Sequence, residues 1–416
     1  MKKQDFRELL EHSLSESQRK LLQIVRDEAT QRGLPLYIVG GSVRDIALGR
    51  RLHDFDLIVE GDAIAFARSL ASRHGGGVTA HTKFGTAKWF LPADLKTGHD
   101  TLDLISARSE TYTHPAALPT VSMGTIAEDL RRRDFTINAM ALRLDGSHFG
   151  ELRDDLKGLE DLEKGTVRVL HSSSFIDDPT RMYRAVRYAG RYDFNIAEDT
   201  LALIPEARGL VEKLSAQRIR HELDLILEEP KTVAMLARLD ELGLLAVIHP
   251  SLANFKQSRL ATLQSDDPLL QTRNSRWVLW LMHLSDRAIE LLDDRLHFSA
   301  DLLKTLHSAS LLNTNVTALV GLKPSQIVGL LESYSVEALE VVSSMVQDVE
   351  IKKILTQYLS EWRRVKPKTT GHDLKKLGIP PGPQYTEILR RLRAAWLDGE
   401  VKTDEEEKEL LSHLVN

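Results

Sequence analysis

Residues 36–49, LYIVGGSVRDIALG, decide the fold of this 416-residue chain. An apolar strand runs into two glycines, Ser42 is placed to cap a helix, and that helix closes at Gly49. Backbone N–H groups at a glycine-rich helix start can approach a phosphate closely, and Arg44 is placed to complete the cradle. An ordinary tight turn, with Arg44 and Asp45 paired in solvent, is the alternative.

The second motif, HDFDLIVEGD at residues 53–62, places two carboxylates on one strand. Asp54 and Asp56 stand at i and i+2, so alternation sends both to one face, about 7 Å apart along the chain. Such a pair suits Mg²⁺, which is bound through one or two carboxylates plus substrate phosphates. Asp103, in TLDLIS, is a candidate third acid. The alternative is a strand that ends at a turn, against which the apolar LIVE continues directly after Asp56.

The third motif is EDLRRRDFTINAMAL at residues 128–142. Arg132 and Arg133 offer planar forks for phosphate oxygens, and Asp134 is placed to orient them. A solvated charge run is the alternative.

The fourth motif, DDPTRMYRAVRYAGR at residues 177–191, predicts a helix that begins at Pro179 with Asp178 as its cap. Asp178 could accept from an exocyclic amino group while Arg181 donates to a ring nitrogen or carbonyl, so that together they imitate a Watson–Crick edge. A purely structural cap is the alternative for Asp178. The helix also carries a basic stripe of Arg181, Arg184, Arg187 and Arg191.

The pattern of predicted helices and strands divides the chain into regions. Residues 5–32 predict one amphipathic helix, and residues 34–143 alternate short β-rich runs with a helix. Everything beyond about residue 154 predicts helices, among which Arg218 and Glu222 stand one turn apart as an ordinary helix pair, worth about 0.3 kcal/mol. The sequence therefore predicts a small α/β head on a long helical body.

Composition narrows the class of protein. The chain has 55 Lys and Arg, 60 Asp and Glu, a net charge of −5 and no cysteine, which excludes disulfides, Cys-zinc sites and thiol nucleophiles. No apolar run approaches the ~18 residues of a membrane span, so we expect a cytoplasmic protein. The acidic balance argues weakly against nucleic acid, but residues 398–409 alone account for it. The stripe and residues 363–376 are local basic concentrations that permit an RNA partner.

Together, these motifs resemble the class II tRNA nucleotidyltransferases and their bacterial poly(A) polymerase relatives, in the polymerase β nucleotidyltransferase superfamily. The resemblance runs from about Tyr37 to Pro230 and includes DDLKGLEDL at 154–162. It implies an α+β fold in which a small mixed-sheet nucleotidyltransferase head precedes an elongated all-helical neck, body and tail. The implied bounds are 1–33 for an N-terminal helix, 34–150 for the head, 151–230 for a base-recognising neck, 231–362 for an RNA-binding body and 363–416 for an RNA-binding tail.

The resemblance also implies residue roles. Asp54 and Asp56 match the metal-binding carboxylates, with Asp103 as a third catalytic acid. Arg218 and Glu222 match a supporting neck-helix motif. The motif that connects head and neck is matched by Asp155, Gly158 and Asp161. The matched nucleotide-binding positions are Gly40, Gly41, Arg44, Arg132, Arg133, Asp134, Asn138, Asp178, Arg181, Arg184 and Arg187.

The implied reaction transfers a nucleotidyl group from CTP or ATP to the 3′-hydroxyl of tRNA with Mg²⁺, releasing pyrophosphate and building or repairing the terminal CCA. The expected partner is the acceptor arm and 3′ end of tRNA. The sequence departs from the family at two points. Asp177 stands where the family has Glu, one methylene longer, beside the base-reading acid. The loop before Arg132 is somewhat short, and a compact loop leaves a CC-adding or A-adding enzyme open. A poly(A) polymerase and a non-catalytic RNA-binding protein are further alternatives, the latter disfavoured by the intact Asp54 and Asp56 pair.

Overall fold

The computed structural model describes residues 5–53, 56–111, 114, 120–253, 263 and 268–415. The chain forms two compact units, Met1–Glu222 with Arg238–Ile248 and Leu223–Ala237 with His249–Asn416. Within the described ranges, no helix is long and apolar enough to cross a membrane.

Two helices open the chain. α1 spans Phe6–Ser13 and α2 spans Glu16–Gln31, so the prediction of a single helix over 5–32 is wrong. The break follows from Ser15, which accepts a hydrogen bond from the Gln18 backbone and donates its own N–H to the Gln18 side chain at 2.8 Å. This capping box starts a new helix, and its Ser-x-x-Gln pattern is present in SESQ.

A mixed sheet forms the centre of the first unit. Its described strands are β1 (Leu36–Val39), β2 (Leu57–Val59), β3 (Gly77–His81), β4 (Thr86–Phe90), β5 (Thr101–Ser106), β8 (Ala141–Arg143) and β9 (Glu151–Arg153), and a separate hairpin is formed by β6 (Arg108–Thr111) and β7 (Thr120–Met123). The strand order is β3-β4-β5-β2-β1-β8-β9, with β2 and β5 parallel and the other neighbours antiparallel. The sequence predicted β1, β2, β4 and β5, which the structure confirms.

Helices cover the two faces of this sheet unequally. The helices of the head are α3 (Gly41–Ala47), α4 (Ala63–His74) and α5 (Ile126–Arg131). α4 packs on β3, β4 and β5 and buries Trp89 and Leu104. On the opposite face α5 closes β1, β2 and β8, where Ile126 and Leu130 join Ile58 in one apolar cluster. Alternate residues of β3 and β4 remain exposed on that second face.

The segment after residue 154 completes the first unit. Its elements are α6 (Gly158–Glu163), β10 (Thr166–Val167), α7 (Ser174–Asp177), α8 (Thr180–Tyr192), β11 (Asn195–Ile196), α9 (Glu198–Leu201), α10 (Ile204–Ala207) and α11 (Ala216–Leu227). β10 and β11 pair in parallel, so the expectation of purely helical structure here is wrong by two short strands. Each strand has only two residues, too few to show a period of two in the sequence.

The described residues of the second unit are helical. Its helices are α12 (Thr232–Glu241), α13 (Arg273–Leu281), α14 (Asp286–Leu296), α15 (Ala300–Asn315), α16 (Pro324–Leu331), α17 (Val336–Met345), α18 (Val349–Ser360), α19 (Gly371–Lys376), α20 (Pro383–Leu397) and α21 (Asp404–Val415). Trp277 and Trp280 stack in its core with ring centroids 5.3 Å apart. A mixed-sheet head followed by helices confirms the predicted α+β fold class. The division into neck, body and tail stays a prediction.

Candidate active site

Two candidate catalytic carboxylates lie beside neighbouring parallel strands. The first paired positions of β2 and β5 are Leu57 and Leu104, and Asp56 and Asp103 each stand one residue before them, so continuation of the register would bring the two acids level on one face of the sheet. Asp103 also forms an ion pair with Lys88 on β4, with Nζ and Oδ1 3.4 Å apart. Asp54 lies outside the described residues, so its convergence with Asp56 stays a prediction.

The donor set at this point fits a hard divalent cation. Asp56 and Asp103 supply carboxylate oxygens, which are the ligands that Mg²⁺ takes. Asp56 is exposed and Asp103 is partly exposed, so a cation can reach both without rearrangement of the core. Over the part of the chain that the structure describes, no group of three His, Cys, Asp or Glu side chains is placed to hold a metal.

The glycine turn after β1 brings two arginines against the backbone. Gly40 has a φ of 64°, a conformation that favours glycine, and a Cβ there would lie 2.3 Å from Nη1 of Arg133. A Cβ on Gly41 would lie 3.3 Å from Nη2 of Arg44. A side chain at position 40 would therefore displace Arg133, which makes Gly40 the more demanding of the two positions.

Arg44 is buried beneath this turn. Its Nη1 donates to Oδ1 of Asn138 at 2.5 Å, and its Nε donates to Asp45 at 3.1 Å. The guanidinium also lies over Tyr192, 4.6 Å from the ring centroid. The Arg44–Asp45 pair that the sequence offered as an alternative forms, but Arg44 is only 5% exposed, so a pair in solvent is wrong. Phosphate binding by Arg44 stays a prediction.

A buried acid that the sequence analysis did not single out holds the paired arginines. Oδ1 of Asp129 accepts from Nη2 of Arg132 at 2.6 Å, and Oδ2 accepts from Nη2 of Arg133 at 2.9 Å. Asp129 is fully buried, so the expectation that Asp134 orients these arginines is wrong. The signal was present in the sequence, because Asp129 precedes them by three and four residues, the spacing of neighbours on one helical face.

Asp134 pairs with α8 instead. It accepts from Nη2 of Arg184 at 2.6 Å and from Nδ2 of Asn138 at 3.0 Å. Burial by itself would raise the pKa of Asp134, but Arg184 and Asn138 outweigh it and hold the pKa below the ordinary value of 3.8. Because Asn138 also accepts from Arg44, one chain of hydrogen bonds connects α3 to α8.

The two predicted base-reading residues both have protein partners. Oδ1 of Asp178 accepts from the Thr180 N–H at 3.0 Å and from Nη2 of Arg218 at 2.6 Å. α8 begins at Thr180, one residue later than predicted, and Asp178 caps it, which confirms the structural interpretation of that residue. Arg181 donates from Nη2 to the Arg132 carbonyl at 2.8 Å. Base reading by either residue stays a prediction.

Two of the four stripe arginines on α8, Arg184 and Arg187, face acids. Arg181 and Arg187 are each 5% exposed. Nη2 of Arg187 lies 3.5 Å from Oε2 of Glu222, and Nη1 of Arg184 lies 3.8 Å from Oε1. Burial raises the pKa of Glu222 above its ordinary 4.5, with Arg184 and Arg187 opposing the shift. Arg191 is exposed, but the stripe as a whole is not the solvent-facing basic surface that the sequence suggested.

The motif predicted to connect head and neck forms a close contact. A Cβ on Gly158 would lie 2.2 Å from the Thr136 carbonyl oxygen, so a larger residue would force the two segments apart. Buried Asp161 accepts from Oγ1 of Thr136 at 2.7 Å. Asp154, which the analysis did not single out, caps α6 by accepting from the Gly158 N–H at 2.6 Å, whereas Asp155 forms an exposed pair.

A cavity of about 240 Å³ opens beside Arg131, Arg132 and Arg181. Burial lowers the pKa of His171, with Asp177 opposing the shift, so this imidazole adds no positive charge near neutral pH. The lining residues are Ser109, Glu110, Glu128, Arg131, Arg132, His171, Asp177 and Arg181. The phosphate-binding candidate Arg132 and the base-reading candidate Arg181 therefore line one cavity.

Carboxylates at two neighbouring parallel strands of a mixed sheet, beside a glycine turn and an arginine-lined cavity, are the arrangement of a nucleotidyltransferase. Residues 36–168 match the family described as Poly A polymerase head domain. Residues 193–256 match the family described as probable RNA and SrmB-binding site of polymerase A.

Two similar proteins carry the name A-adding tRNA nucleotidyltransferase. The chain is 34% identical over 413 residues to the A-adding tRNA nucleotidyltransferase of Halalkalibacterium halodurans, covering 96% of this chain and 93% of that protein. It is 36% identical over 412 residues to the A-adding tRNA nucleotidyltransferase of Geobacter sulfurreducens, covering 92% of this chain. That second relative is longer, and this chain spans 45% of it.

Solved structures of CCA-adding enzymes are also similar to this chain along nearly its full length. A CCA-adding enzyme in an apo form has a TM-score of 0.85 and 30% identity, covering 99% of each chain. The CCA-adding enzyme of Thermotoga maritima complexed with tRNA has a TM-score of 0.79 and 27% identity, also covering 99% of each chain. The chain belongs to the tRNA nucleotidyltransferases, a family of enzymes.

Proposed function

We propose that this protein transfers AMP from ATP to the 3′-hydroxyl of a tRNA that ends in CC, with release of pyrophosphate. The observation that carries the proposal is the hydrogen bond from Arg181 to the Arg132 carbonyl, at 2.8 Å beside one cavity. It holds a residue suited to a base edge next to one suited to a triphosphate. Similarity to A-adding enzymes along 93–96% of both chains supports the choice of ATP.

In this proposal, carboxylates of the head would hold the catalytic cation. Asp54 and Asp56 would hold Mg²⁺, with Asp103 at the neighbouring parallel strand. When bound, the cation neutralises charge on the transferring phosphate and lowers the pKa of the attacking hydroxyl. Lys88, paired with Asp103 at 3.4 Å, places a positive charge beside that carboxylate.

Arginine geometry supports triphosphate binding. Asp129 accepts hydrogen bonds from Arg132 and Arg133. These bonds fix the planes of both guanidinium groups before a ligand arrives. Pre-oriented donors cost less conformational entropy on binding than mobile ones. Glu110 also accepts from Nη1 of Arg132 at 3.0 Å, so the incoming phosphate would compete with that carboxylate for one donor.

Base selection is proposed to rest on Asp178 and Arg181. An exocyclic amino group of adenine donates to Asp178 while Arg181 donates to the ring nitrogen beside it. A mispaired edge leaves buried polar groups unsatisfied, at about 1–3 kcal/mol each. Arg218, whose Nη2 donates to Oδ1 of Asp178 at 2.6 Å, holds that carboxylate in position.

Full CCA addition from CTP and ATP is the second candidate. The likeness to a CCA-adding enzyme, with a TM-score of 0.85 over 99% of each chain, favours it. Both candidates share the final step, which adds A to a tRNA ending in CC. They differ in whether CTP is used on a tRNA that lacks all three nucleotides.

Labelled nucleotides separate these candidates. Transcripts that end before CCA, after CC, and after CCA are each incubated with Mg²⁺ and one labelled nucleotide. ATP incorporation on the CC transcript alone supports the proposal, and added CTP incorporation on the shortest transcript supports the second candidate. CTP use without ATP use indicates a CC-adding enzyme, long A tails indicate a poly(A) polymerase, and no incorporation on any transcript contradicts both.

Asp56→Ala tests the metal assignment. Loss of a metal ligand removes several kcal/mol of charge stabilisation, so transfer should fall by about 10³-fold or more. Affinity for tRNA should change less than about twofold, because binding of the RNA body does not involve this carboxylate. Transfer at a near-normal rate would overturn the assignment.

A further inference from the structure

Half of one sheet face is open beside the candidate catalytic carboxylates. On the face that carries Asp103, α5 covers β1, β2 and β8. The strands β4 and β3 extend this face beyond β5, and their outward residues are solvent-accessible. Those residues are Thr86, Lys88 and Phe90 on β4 and Gly77, Thr79 and His81 on β3.

The register of the strands makes this open face continuous with the carboxylates. Asp103 pairs with Lys88, and Lys88 pairs with Thr79. With about 4.8 Å between neighbouring strands, the row from Asp103 to Thr79 is roughly 10 Å long. A chain lying along this row would begin at the edge strand and end at Asp103, beside which continuation of the register would bring Asp56.

Phe90 lies uncovered one step from this row. Its ring is 45% exposed, and its partner on the edge strand is Gly77, which has no side chain to shield it. A Cβ on Gly77 would meet no atom within 4 Å, so open space continues beside the ring. Phe84, at the turn between β3 and β4, is 46% exposed with Lys83 over its ring.

Exposed rings with neighbouring lysines are the chemistry of a single-stranded nucleic acid surface. Bases stack on aromatic faces without regard to sequence, and lysines follow the phosphates. The incoming nucleotide is a less suitable occupant, because the arginine-lined cavity is built from β6, α5, α7 and α8 and includes no residue of β3 or β4.

We propose that the open face of β3 and β4 carries the single-stranded 3′ end of the RNA acceptor on its way to Asp103. This inference rests on the proposed function, since it assumes that an RNA 3′-hydroxyl reacts at the carboxylates. Phe90 stacks a base near the terminus, and Lys88 neutralises a phosphate. Specificity for the tRNA body is left to other parts of the chain.

Gly77→Val tests the proposal by filling the space beside Phe90. Valine suits a strand, the φ of Gly77 is not in the left-handed region, and the added Cβ meets nothing within 4 Å, so the variant should fold. Gly209→Val is the matched control, because position 209 is equally open and lies away from the sheet. Far-UV circular dichroism and thermal unfolding check both variants.

Kinetics and binding are measured together. Gly77→Val and Phe90→Ala should raise the KM for a tRNA ending in CC by about fivefold to a hundredfold, the usual effect of losing one stacked base. The KM for ATP should stay within about twofold, and Phe90→Trp should restore the KM for tRNA. Gly209→Val should leave both constants unchanged.

Fluorescence anisotropy separates this proposal from the proposed function. Labelled tRNA ending in CC and the same tRNA without its single-stranded end are titrated without nucleotide. The wild type should bind the first more tightly, and Gly77→Val should lose that difference. An unchanged difference, or a rise in the KM for ATP alone, overturns the proposal. The wild type could transfer no nucleotide and still bind the first tRNA more tightly, with that difference lost in Gly77→Val. In that case the proposed function fails and the RNA surface is supported.

Discussion

Two basic segments that look alike in the sequence have opposite environments in the structure. On α8, Arg184 and Arg187 face acids, and Arg181 and Arg187 are each 5% exposed. The tail basic segment, which we define as residues 363–376, has six basic residues against one acid. All six are exposed, namely Arg363, Arg364, Lys366, Lys368, Lys375 and Lys376.

The difference comes from acids that are distant in sequence. Asp134 and Glu222 reach α8 from other segments and neutralise its arginines. In the tail, the buried acid Glu407 accepts from backbone N–H groups of Lys368 and Thr369 at 2.9 and 2.6 Å, which leaves the lysine ammonium groups in water. A basic run therefore indicates an RNA surface only where no distant carboxylate has been folded against it. We propose the tail basic segment as such a surface.

Asp134→Ala should have the largest effect on this comparison. Removing Asp134 leaves Arg184 with the longer contact to Glu222, at 3.8 Å, and loss of one partner of a buried ion pair typically costs about 3–5 kcal/mol. The free energy of unfolding, measured by urea titration, should fall by that amount. Glu160→Ala breaks an exposed pair with Lys164 at 2.6 Å and should leave the free energy of unfolding nearly unchanged, because water screens the pair. Equal losses in the two variants would contradict the contrast between buried and exposed pairs.

Alanine at Lys366, Lys368, Lys375 and Lys376 should act on RNA affinity and leave stability unchanged. We expect binding of tRNA to weaken about tenfold or more at 0.1 M salt, and the slope of log Kd against log salt to fall by up to about 3. Filter binding across a salt series measures both. The control, Lys402→Ala with Lys408→Ala, removes exposed lysines from the acidic end of the chain. A comparable loss in that control would mean that net charge, and not this segment, sets affinity.

Glu222→Gln should change how stability depends on pH. The pKa of Glu222 is raised above 4.5 in the folded protein, so its contribution to stability is full below 4.5 and is lost as the pH rises through the folded pKa. In wild type, the free energy of unfolding should therefore decline over this window, by about 1.4 kcal/mol for each unit of the shift. The decline should be absent from the variant, and parallel pH profiles would refute the prediction.

Lys376→Ala should have the smallest effect. Its ion pair with Asp373 is 3.8 Å long and exposed on both sides, so the free energy of unfolding should stay unchanged within the error of the measurement. Thermal unfolding is sufficient to measure it. A larger loss would show that the tail basic segment also stabilises the fold, which would weaken its contrast with α8.

Much of the head was predictable because its signals are local. The strand before Gly40 and the strand after Asp56 each depend on a few consecutive residues. The helix break at Ser15 was also readable, since its Ser-x-x-Gln capping pattern lies within four residues, but the apolar periodicity across it outweighed that signal. β10 and β11 were not readable, because two-residue strands have no detectable period.

Partners within the site were harder to predict than the site itself. Asp129 was recoverable from its spacing to Arg132 and Arg133, whereas the bonds from Arg44 to Asn138 and from Arg184 to Asp134 span 94 and 50 residues. Nothing in the local pattern marks which carboxylate an arginine will meet at that separation. The predicted roles in nucleotide binding remain to be tested by substitution.

The sequence by itself predicted the family, four strands of the head and the candidate residues for the chemistry, because motifs and periodicity are properties of neighbouring residues. Only the tertiary structure decided which of those groups are buried. It turned the arginine stripe into the interior of an ion-pair network, placed Asp56 and Asp103 at neighbouring parallel strands, and left the face of β3 and β4 open. Each of these depends on which distant segments pack together, and burial then sets the strength of every charge that they bring into contact.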